Sequence, residues 1–329
     1  MRNLITDVPG VKVGNAEDTR LGSGSTAVIF EQPATASIDI RGGGPGTRET
    51  ALLGPAQTVG GIDAVILSGG SAFGLDAASG VQAWLKEQGR GFAVGAVRVP
   101  IVPAAVIFDL NNGGDKDWGR FPPYRDLGYA AAASASDTFS LGSIGAGTGG
   151  TVSNCKGGLG SASAQTPDGF TIGALAVVNA VGSVLVDRGP WFWAAPFEQN
   201  GEYGGRGLPQ PFPPGAFDPP IKGAVRANTT LVVVATDAIL DKAQAKRLAV
   251  MAQCGLPRAI YPVHAPLDGD LVFAASTGRR PLSDPLFALT KLGMAAANVV
   301  ARAIARGVYE AAALPFPGAI KSWKDQFGR

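Results

Sequence analysis

The order of apolar and polar positions divides the chain into short β-type runs, Gly-rich turns and three longer helical segments. Apolar runs of strand length predict six β-strands, at 25–30, 36–43, 64–70, 92–98, 103–110 and 170–187. A further run of five apolar residues, 231–235, predicts a buried strand in the last third of the chain. Strands are therefore expected on both sides of the middle of the sequence.

The three helical segments carry apolar residues at helical spacing, at 71–89, 241–255 and 285–313. Ser71 and Asp241 stand where a side chain can cap the N-terminus of a helix. Apolar residues lie almost all round the third segment, which predicts a helix packed inside the protein. Strands and helices mixed in this order predict a layered α/β architecture, with helices covering sheet faces.

A change of composition at 189–227 separates a long Gly-rich α/β portion from a compact final piece that begins at Thr229. The segment holds eight of the chain's 24 prolines, together with clustered aromatic residues. Proline without a repeat predicts an irregular surface excursion rather than a strand or a helix. The excursion is followed by an Asn-Thr-Thr sequence and then directly by the predicted buried strand.

Composition and charge narrow the class of protein. The 329 residues are 46% hydrophobic and carry a net charge of +2 without a basic tract, so we expect a compact fold and no nucleic-acid partner. Two cysteines cannot form a disulfide framework, which favours a cytoplasmic location, and the N-terminus lacks the apolar segment of a secretion signal. The most apolar window, 171–186, is short for a membrane span and is interrupted by Asn179. We therefore expect a soluble protein.

Several familiar catalytic motifs do not fit this sequence. The stretch "GAGTGG" at 145–150 has the letters of a dinucleotide-binding turn, but no helical pattern follows, so a Gly-rich loop is expected. His264 is the only histidine, which excludes multi-histidine metal sites and favours a structural role. Cys155 is better interpreted as a small buried residue than as an activated thiol. Any catalysis must then use hydroxyl, amine, amide and carboxylate groups, and no cofactor or metal is predicted.

A threonine at a chain N-terminus can cleave amides with those groups alone, because its own α-amine, with a pKa of about 7.7–8.0, can serve as the base. Thr229 gains such an amine only if its hydroxyl first attacks the carbonyl of Asn228, giving an ester that water hydrolyses. An exposed segment before the threonine and a rigid strand after it favour this cut. The alternative is that Thr229 and Thr230 simply begin a β-strand, and this stretch alone favours the alternative.

Motifs along the rest of the chain change that balance. They lie in seven ordered segments: "ITDVPGVKVGNAED" (5–18), "RGGGPGTRET" (41–50), "ILSGGSAFGLDAASGV" (66–81), "VPAAVIFDL" (102–110), "GTGGTVSNCKGGLGSAS" (147–163), "NTTLVVVATDA" (228–238) and "LDGDLVFAAST" (267–277). With these motifs the sequence resembles, nearly end to end, the DmpA-type family of self-processing aminopeptidases, amidases and esterases. That family includes β-aminopeptidases and nylon-oligomer endohydrolases.

The resemblance implies a fold, a cut and an assembly. The fold is a four-layer α/β/β/α sandwich of the DmpA and ornithine acetyltransferase type. The single domain, 1–329, would be cut between Asn228 and Thr229 into an α-chain, 1–228, and a β-chain, 229–329. Members of the family commonly assemble as homotetramers of processed heterodimers.

The resemblance also implies site residues. Thr229 would be the nucleophile, Asn179 the amide donor to the developing oxyanion, and Lys156 an active-site lysine that keeps the new amine neutral. Asp268 and Asp270 match an acidic pair near the nucleophile, which can bind an ammonium. The alternatives are a structurally satisfied Asn179, a surface Lys156 and a solvated Asp-Gly-Asp turn.

One position departs from the family pattern. Phe108 stands where nylon hydrolases carry a tyrosine, so any contact made by that hydroxyl must come here from backbone or water. We expect an amide hydrolase that forms an acyl ester on Thr229 and acts on small peptides, amino-acid amides or linear oligoamides with a free amine. The alternatives are an amine acyltransferase and a catalytically silent ligand-binding homologue.

Overall fold

Eleven strands and five α-helices make up the regular structure of residues 1–222 and 228–328, the part of the chain described by a computed structural model. The strands are β1 Val11–Asp18, β2 Ser23–Ile40, β3 Thr47–Arg48, β4 Ile62–Ser68, β5 Phe92–Val94, β6 Val97–Val99, β7 Ala104–Val106, β8 Leu159–Gln165, β9 Thr171–Asn179, β10 Thr229–Ala238 and β11 Leu271–Arg280. The helices are α1 Ala77–Glu87, α2 Tyr124–Ala133, α3 Lys242–Ala252, α4 Pro285–Tyr309 and α5 Trp323–Phe327. Short 3₁₀ turns lie at Ile5–Asp7, Ala51–Leu53, Ser71–Asp76, Gly145–Gly147, Ala195–Phe197 and Gln253–Gly255.

The long strand β2 belongs to two sheets. Its first half pairs with β1 and β4, and Val28 aligns with Val13 on one side and Val65 on the other. Its second half pairs with β11, where Ile38 aligns with Phe273. The first sheet continues through β4 to β7 and β3, and the second runs from β11 through β10 and β9 to β8. The hairpin of β5 and β6 stands apart from both.

Three apolar clusters show how the layers pack. The middle cluster joins residues of both sheets, such as Val65 and Phe273. The outer face of the first sheet packs against α1 and α2, and the outer face of the second packs against α3 and α4. Side chains alternate along β10, so Leu231 faces the other sheet and Val232 faces the helices. The order is helix, sheet, sheet, helix, and the predicted α/β/β/α sandwich is confirmed.

Several predicted elements differ in their bounds. The runs 25–30 and 36–43 fall on one strand, β2, which ends at Ile40 rather than at residue 43, and the run 170–187 ends as a strand at Asn179. Asp241 caps α3 as predicted, because its carboxylate accepts the backbone N–H of Gln244. The prediction that Ser71 caps a helix was wrong. Ser71 lies in a 3₁₀ turn with a φ of 52°, and α1 begins only at Ala77.

Helix α4 packs on the second sheet along much of its length. Fourteen of its 25 residues are buried, as its all-round apolar pattern predicts. By length and composition alone it could cross a membrane, but 61% of its apolar window is buried inside the fold. Such burial is typical of a core helix.

The Pro-rich segment is irregular, as predicted, but it is not only a surface excursion. Phe192 and Tyr203 are buried and pack edge to face at 5.4 Å, and Phe192 stacks on Trp323 near the C-terminus. These contacts anchor the segment to the second sheet's helical side. Its later part returns to the core at Lys222, whose backbone N–H donates to Val181. Residues 223–227 of the predicted excursion lie outside the described residues.

Candidate active site

Thr229 is the first residue of β10, between an antiparallel neighbour, β9, and a parallel neighbour, β11. It is directly opposite Asn179, the last residue of β9. Strand alternation places both side chains on the face that meets the other sheet, because Leu231 and Val177 pack there. Thr229 is 4% exposed and Asn179 is 1% exposed. The sheet therefore brings two of the predicted site residues together in a buried position.

The peptide between Asn228 and Thr229 carries two hydrogen bonds at its carbonyl group. The hydroxyl of Thr229 donates to the carbonyl oxygen of Asn228. The backbone N–H of Gly269 donates to the same oxygen at 2.7 Å. An N–H directed at a carbonyl oxygen stabilises negative charge that develops there. The hydroxyl of Thr229 and the N–H of Gly269 thus both contact the carbonyl group that an internal acyl shift would attack.

Gly269 leaves no room for a side chain. A Cβ atom built on it would lie 2.5 Å from Thr229 Oγ1 and 3.0 Å from the carbonyl oxygen of Gly44. Close approach of the backbone to Thr229 therefore requires glycine here. Asn228 also forms a parallel bridge with Asp268, which fixes the loop against the start of β10.

Asn179 has a fixed amide orientation. Its Oδ1 accepts the backbone N–H of Thr151 at 3.1 Å and Nζ of Lys222 at 2.8 Å. Its Nδ2 donates to the carbonyl oxygen of Phe108 at 3.2 Å. Because both partners of Oδ1 are donors, the reverse orientation would lose these bonds. The amide has two N–H donors, and Phe108 takes one of them.

The acidic pair is buried, so the alternative of a solvated turn was wrong. Asp268 and Asp270 are each 1% exposed. Asp268 accepts backbone N–H groups from Val181 and Ala265, at 3.3 and 2.9 Å, and Asp270 accepts the N–H of Thr230 at 2.6 Å. Burial and the neighbouring charge of Asp270 raise the pKa of Asp268 to about 6. Both carboxylates thereby hold the backbone around the start of β10.

His264 belongs to the same cluster. Its Nδ1 lies 3.0 Å from Oδ2 of Asp270, and its backbone N–H donates to the same oxygen at 3.1 Å. Its φ of 58° is unusual for a residue with a side chain, so these contacts hold a strained turn. Within residues 1–222 and 228–328, no three His, Cys, Asp or Glu side chains are grouped as metal ligands.

Lys156 is buried rather than a surface residue. Its Nζ donates to three backbone carbonyls, of Gly147, Gly150 and Gly157, at 3.2, 2.7 and 2.8 Å. Burial lowers the pKa of Lys156 to about 7, although the charge of Asp109 opposes the shift. No α-helix follows the 145–150 loop, so the interpretation as a Gly-rich loop is confirmed. Two of the three carbonyls that bind Lys156 come from this loop.

Lys156 connects to Asn179 through the backbone of Thr151. Thr151 forms an antiparallel bridge with Lys156 and donates its N–H to Asn179. The adjacent Cys155 is buried, and burial raises the pKa of its thiol to about 12, which agrees with a structural cysteine. Thr229, Asn179 and the acidic pair therefore form one contiguous cluster, and Lys156 is linked to Asn179 through Thr151.

A cleft of about 280 Å³ is lined by Phe108, Thr151, Lys156 and Lys222, together with residues 317–320 of the C-terminal segment. Its lining does not include Thr229, Asn179 or the acidic pair. Phe108 lines the cleft without the hydroxyl that a tyrosine would add, and its backbone carbonyl accepts the N–H of Asn179. The cleft reaches Asn179 through Thr151 and Lys222.

Three residues of this region were missed at the level of sequence. Gly269 lies between the two predicted carboxylates, and the Asp-Gly-Asp motif could have indicated it. Asp109 follows Phe108 and is buried. Its carboxylate accepts hydrogen bonds from the hydroxyl of Ser23 and the backbone N–H of Gly70, and burial raises the pKa of Asp109. Lys222 lies in the Pro-rich segment, where no local pattern indicates a role.

Comparison with known proteins gives the family of the chain. Residues 3–319 match the family described as peptidase family S58. The chain belongs to peptidase family S58. The predicted relationship and the prediction of a hydrolytic enzyme are thereby confirmed. Family membership also implies peptide or amide substrates.

Two named relatives align with most of the chain. An uncharacterized aminopeptidase of Mycobacterium tuberculosis is 42% identical over 355 aligned residues, which cover 97% of this chain and all of the relative. A 6-aminohexanoate-oligomer endohydrolase of Kocuria sp. is 29% identical, over 82% of this chain and 74% of the relative.

Solved structures of two aminopeptidases share the fold. A β-aminopeptidase of Burkholderia sp. superimposes with a TM-score of 0.72 at 22% identity, over 98% of this chain and 91% of that chain. The L-aminopeptidase D-Ala-esterase/amidase of Ochrobactrum anthropi, described as a variant of the Ntn hydrolase fold, has a TM-score of 0.72 at 21% identity. That match covers 100% of this chain and 95% of the other.

Proposed function

We propose that this S58 protein is a self-processing amide hydrolase whose nucleophile is Thr229, exposed as a new N-terminus by a cut after Asn228. The observation that carries the proposal is the pair of contacts at the carbonyl of Asn228, from the Thr229 hydroxyl and from the N–H of Gly269. The buried position of Thr229 at the start of a rigid strand supports it, because a fixed nucleophile needs little reorganisation.

The cut would proceed by two successive acyl substitutions at the carbonyl carbon of Asn228, first by the hydroxyl of Thr229 and then by water. Thr229 Oγ1 adds to the carbonyl carbon of Asn228, and the negative oxygen is stabilised by the N–H of Gly269. The C–N bond then breaks, and the proton of the hydroxyl ends on the released amine of Thr229. Water hydrolyses the resulting ester, which leaves a carboxylate on Asn228 and restores the hydroxyl of Thr229.

Turnover would repeat this chemistry on an external amide. The freed amine takes the proton of the hydroxyl, which attacks the substrate carbonyl and forms an acyl ester. Asn179 donates its remaining N–H to the oxyanion, because its other N–H is directed to Phe108. The amine product leaves with the proton, and water releases the acid. Lys156 is linked to Asn179 through Thr151, and in its charged form it favours a neutral amine on Thr229.

The finer substrate class is also a proposal. A cleft of about 280 Å³ suits a small peptide, an amino-acid amide or a segment of a linear oligoamide, and the names of the relatives, an aminopeptidase and a 6-aminohexanoate-oligomer endohydrolase, point to such substrates. The buried carboxylates of Asp268 and Asp270 favour a substrate with a free amine. A homotetramer of processed heterodimers and a cytoplasmic location complete the proposal.

The first experiment is intact-mass spectrometry of the purified protein beside Thr229→Ala. From a mass of 33.4 kDa, a cut before Thr229 gives pieces of about 23 and about 10 kDa. We expect both pieces from the wild type, with threonine at the new N-terminus, and an uncut Thr229→Ala protein. Thr230→Ala is the matched control and should still be cut, because the hydroxyl of Thr229 remains.

A wild-type protein that stays whole after long incubation, while folded by circular dichroism, would refute the N-terminal-nucleophile mechanism and favour the silent homologue. If the protein is cut, aminoacyl anilides and 6-aminohexanoate oligomers test the substrate class. Adding ornithine as a competing acceptor separates hydrolysis from acyl transfer, because an acyltransferase would give the N-acyl product at the expense of the free acid.

A further inference from the structure

Lys222, in the Pro-rich segment, makes a direct contact with the side chain of Asn179. We propose that Lys222 is a positioning residue for Asn179, whose ammonium orients and polarises the amide that binds the oxyanion. The inference rests on the proposed function, because it assigns a role to a residue that acts through the proposed oxyanion donor. Because Lys222 lies in the Pro-rich segment, the proposed role would make that segment part of the catalytic machinery.

The contact is short and well anchored. Nζ of Lys222 lies 2.8 Å from Oδ1 of Asn179 and 3.0 Å from the carbonyl oxygen of Thr151. The backbone N–H of Lys222 donates to Val181 at 3.0 Å, so the segment is tied at the same point. Lys222 is 9% exposed, and a cation donates a stronger hydrogen bond than a neutral group in such surroundings.

A cation at Oδ1 affects the opposite end of the amide. It draws electron density towards the oxygen, which makes the N–H groups of Nδ2 better donors. It also disfavours the flipped amide, in which Nδ2 would face the ammonium. Thr151 would still donate to Oδ1 without Lys222, but a neutral N–H is the weaker partner. The expected loss is therefore in transition-state stabilisation rather than in folding.

Lys156 does not duplicate this role. Its three hydrogen bonds go to the carbonyls of Gly147, Gly150 and Gly157, and its link to Asn179 passes through Thr151. Lys222, by contrast, donates directly to the amide oxygen of Asn179. The two lysines thus approach Asn179 from different elements and have separable effects.

The test compares the processed forms of wild type, Lys222→Met and Lys222→Arg. We expect kcat of Lys222→Met to fall about 10- to 100-fold, the loss of one hydrogen bond to a charged group, with KM within about two-fold. Lys222→Arg should recover part of kcat. Because Lys222 lines the cleft, added methylammonium should partly restore Lys222→Met. Lys291→Met is the matched control, since Lys291 is exposed and pairs with Asp168.

A rise in KM at unchanged kcat, or failure of both arginine and methylammonium to restore kcat, would overturn the assignment. A second measurement needs no catalysis. In the Thr229→Ala background with ¹⁵N-labelled asparagine, the side-chain NH₂ signals of Asn179, assigned with Asn179→Gln, should shift in Lys222→Met and stay in place in Lys291→Met. Unmoved signals would also overturn it. An uncut, inactive wild type would instead count against the proposed function.

Discussion

Substitution of Gly269 by alanine perturbs the contact between the acidic loop and the Asn228–Thr229 peptide. The new Cβ would lie 2.5 Å from Thr229 Oγ1 and 3.2 Å from Thr229 Cγ2. Gly269 is not among the glycines with positive φ, so alanine can adopt its backbone conformation. The perturbation is therefore steric: the close contacts with Thr229 and a tight contact with the carbonyl oxygen of Gly44 at 3.0 Å.

The size of the effect follows from the displacement needed. Ordinary contacts of a Cβ atom begin at 3.4 Å, so the hydroxyl of Thr229 or the loop must move by about 0.9 Å. A misplacement of about 1 Å in a reacting group can cost about 10²-fold in rate. The same shift moves the N–H of Gly269 away from the carbonyl oxygen of Asn228, which acts in the same direction. We expect self-cleavage about 10²-fold slower than in wild type.

The assay follows the appearance of the two fragments by intact mass after rapid purification, fitted to a first-order rate. Gly60→Ala is the control, because a Cβ at Gly60 meets nothing within 4 Å and its cleavage should be unchanged. A thermal melt of each protein in the Thr229→Ala background separates slow cleavage from loss of structure. Cleavage of a folded Gly269→Ala protein at the wild-type rate would refute the role of this loop.

Two further predictions concern the residues on the β9 side of the site. Asn179→Ala, once processed, should lower kcat about 10²- to 10³-fold with little change in KM, as loss of one oxyanion donor does elsewhere; an unchanged kcat in steady-state assays would exclude this role. Burial lowers the pKa of Lys156 to about 7 from a usual 10.5. The unfolded chain then binds the extra proton between these values, so the free energy of unfolding should rise from pH 7 to 10.5. Lys156→Met should flatten that rise in urea titrations, and parallel slopes would contradict it.

The start of β10 could be predicted, because its apolar run and the cap of the helix that follows it point to the same boundaries. The run 231–235 is apolar at every position since β10 is buried on both faces, and Asp241 caps the helix that follows. The resemblance to the DmpA-type family, rather than a local pattern, named the Asp-Gly-Asp motif and Asn179 as site residues. Their positions around Thr229 agree with that prediction, while their catalytic roles stay predictions.

Strand β8 could not be predicted, because its sequence lacks an apolar pattern. Its small residues fit the closely packed backbone of α4: a Cβ on Gly160 would overlap the carbonyl oxygen of Ala303. Ser161 is buried and exchanges hydrogen bonds with Ile5 and Ala174 instead of packing as an apolar residue. A strand is identified in a sequence by its buried apolar side chains. In β8 small residues instead let the backbone of α4 pack directly against the strand, so that pattern is missing.

Long-range contacts also decide the surroundings of the lysines. Lys156 is buried by carbonyls of a loop that precedes it, and Lys222 meets Asn179 across 43 positions of sequence. Neither contact leaves a periodic signal, because a lysine in a Gly- or Pro-rich stretch usually lies at the surface. Only the packing of the two segments against β9 distinguishes them.

The placement of β10 between two neighbours separates the two reactions of the proposed function. The N–H of Gly269, on the β11 side, is directed at the carbonyl of Asn228, the bond that is cut once. Asn179, on the β9 side, contacts the residues that line the cleft, where an external amide would bind. If each donor serves one carbonyl, Asn179→Ala should slow turnover of the processed enzyme more than the cut. Gly269→Ala also displaces the Thr229 hydroxyl that both reactions use, so it should slow both, and the cut more because the N–H of Gly269 serves the cut alone. Equal effects of Asn179→Ala on both rates would instead mean that both carbonyls occupy one oxyanion site.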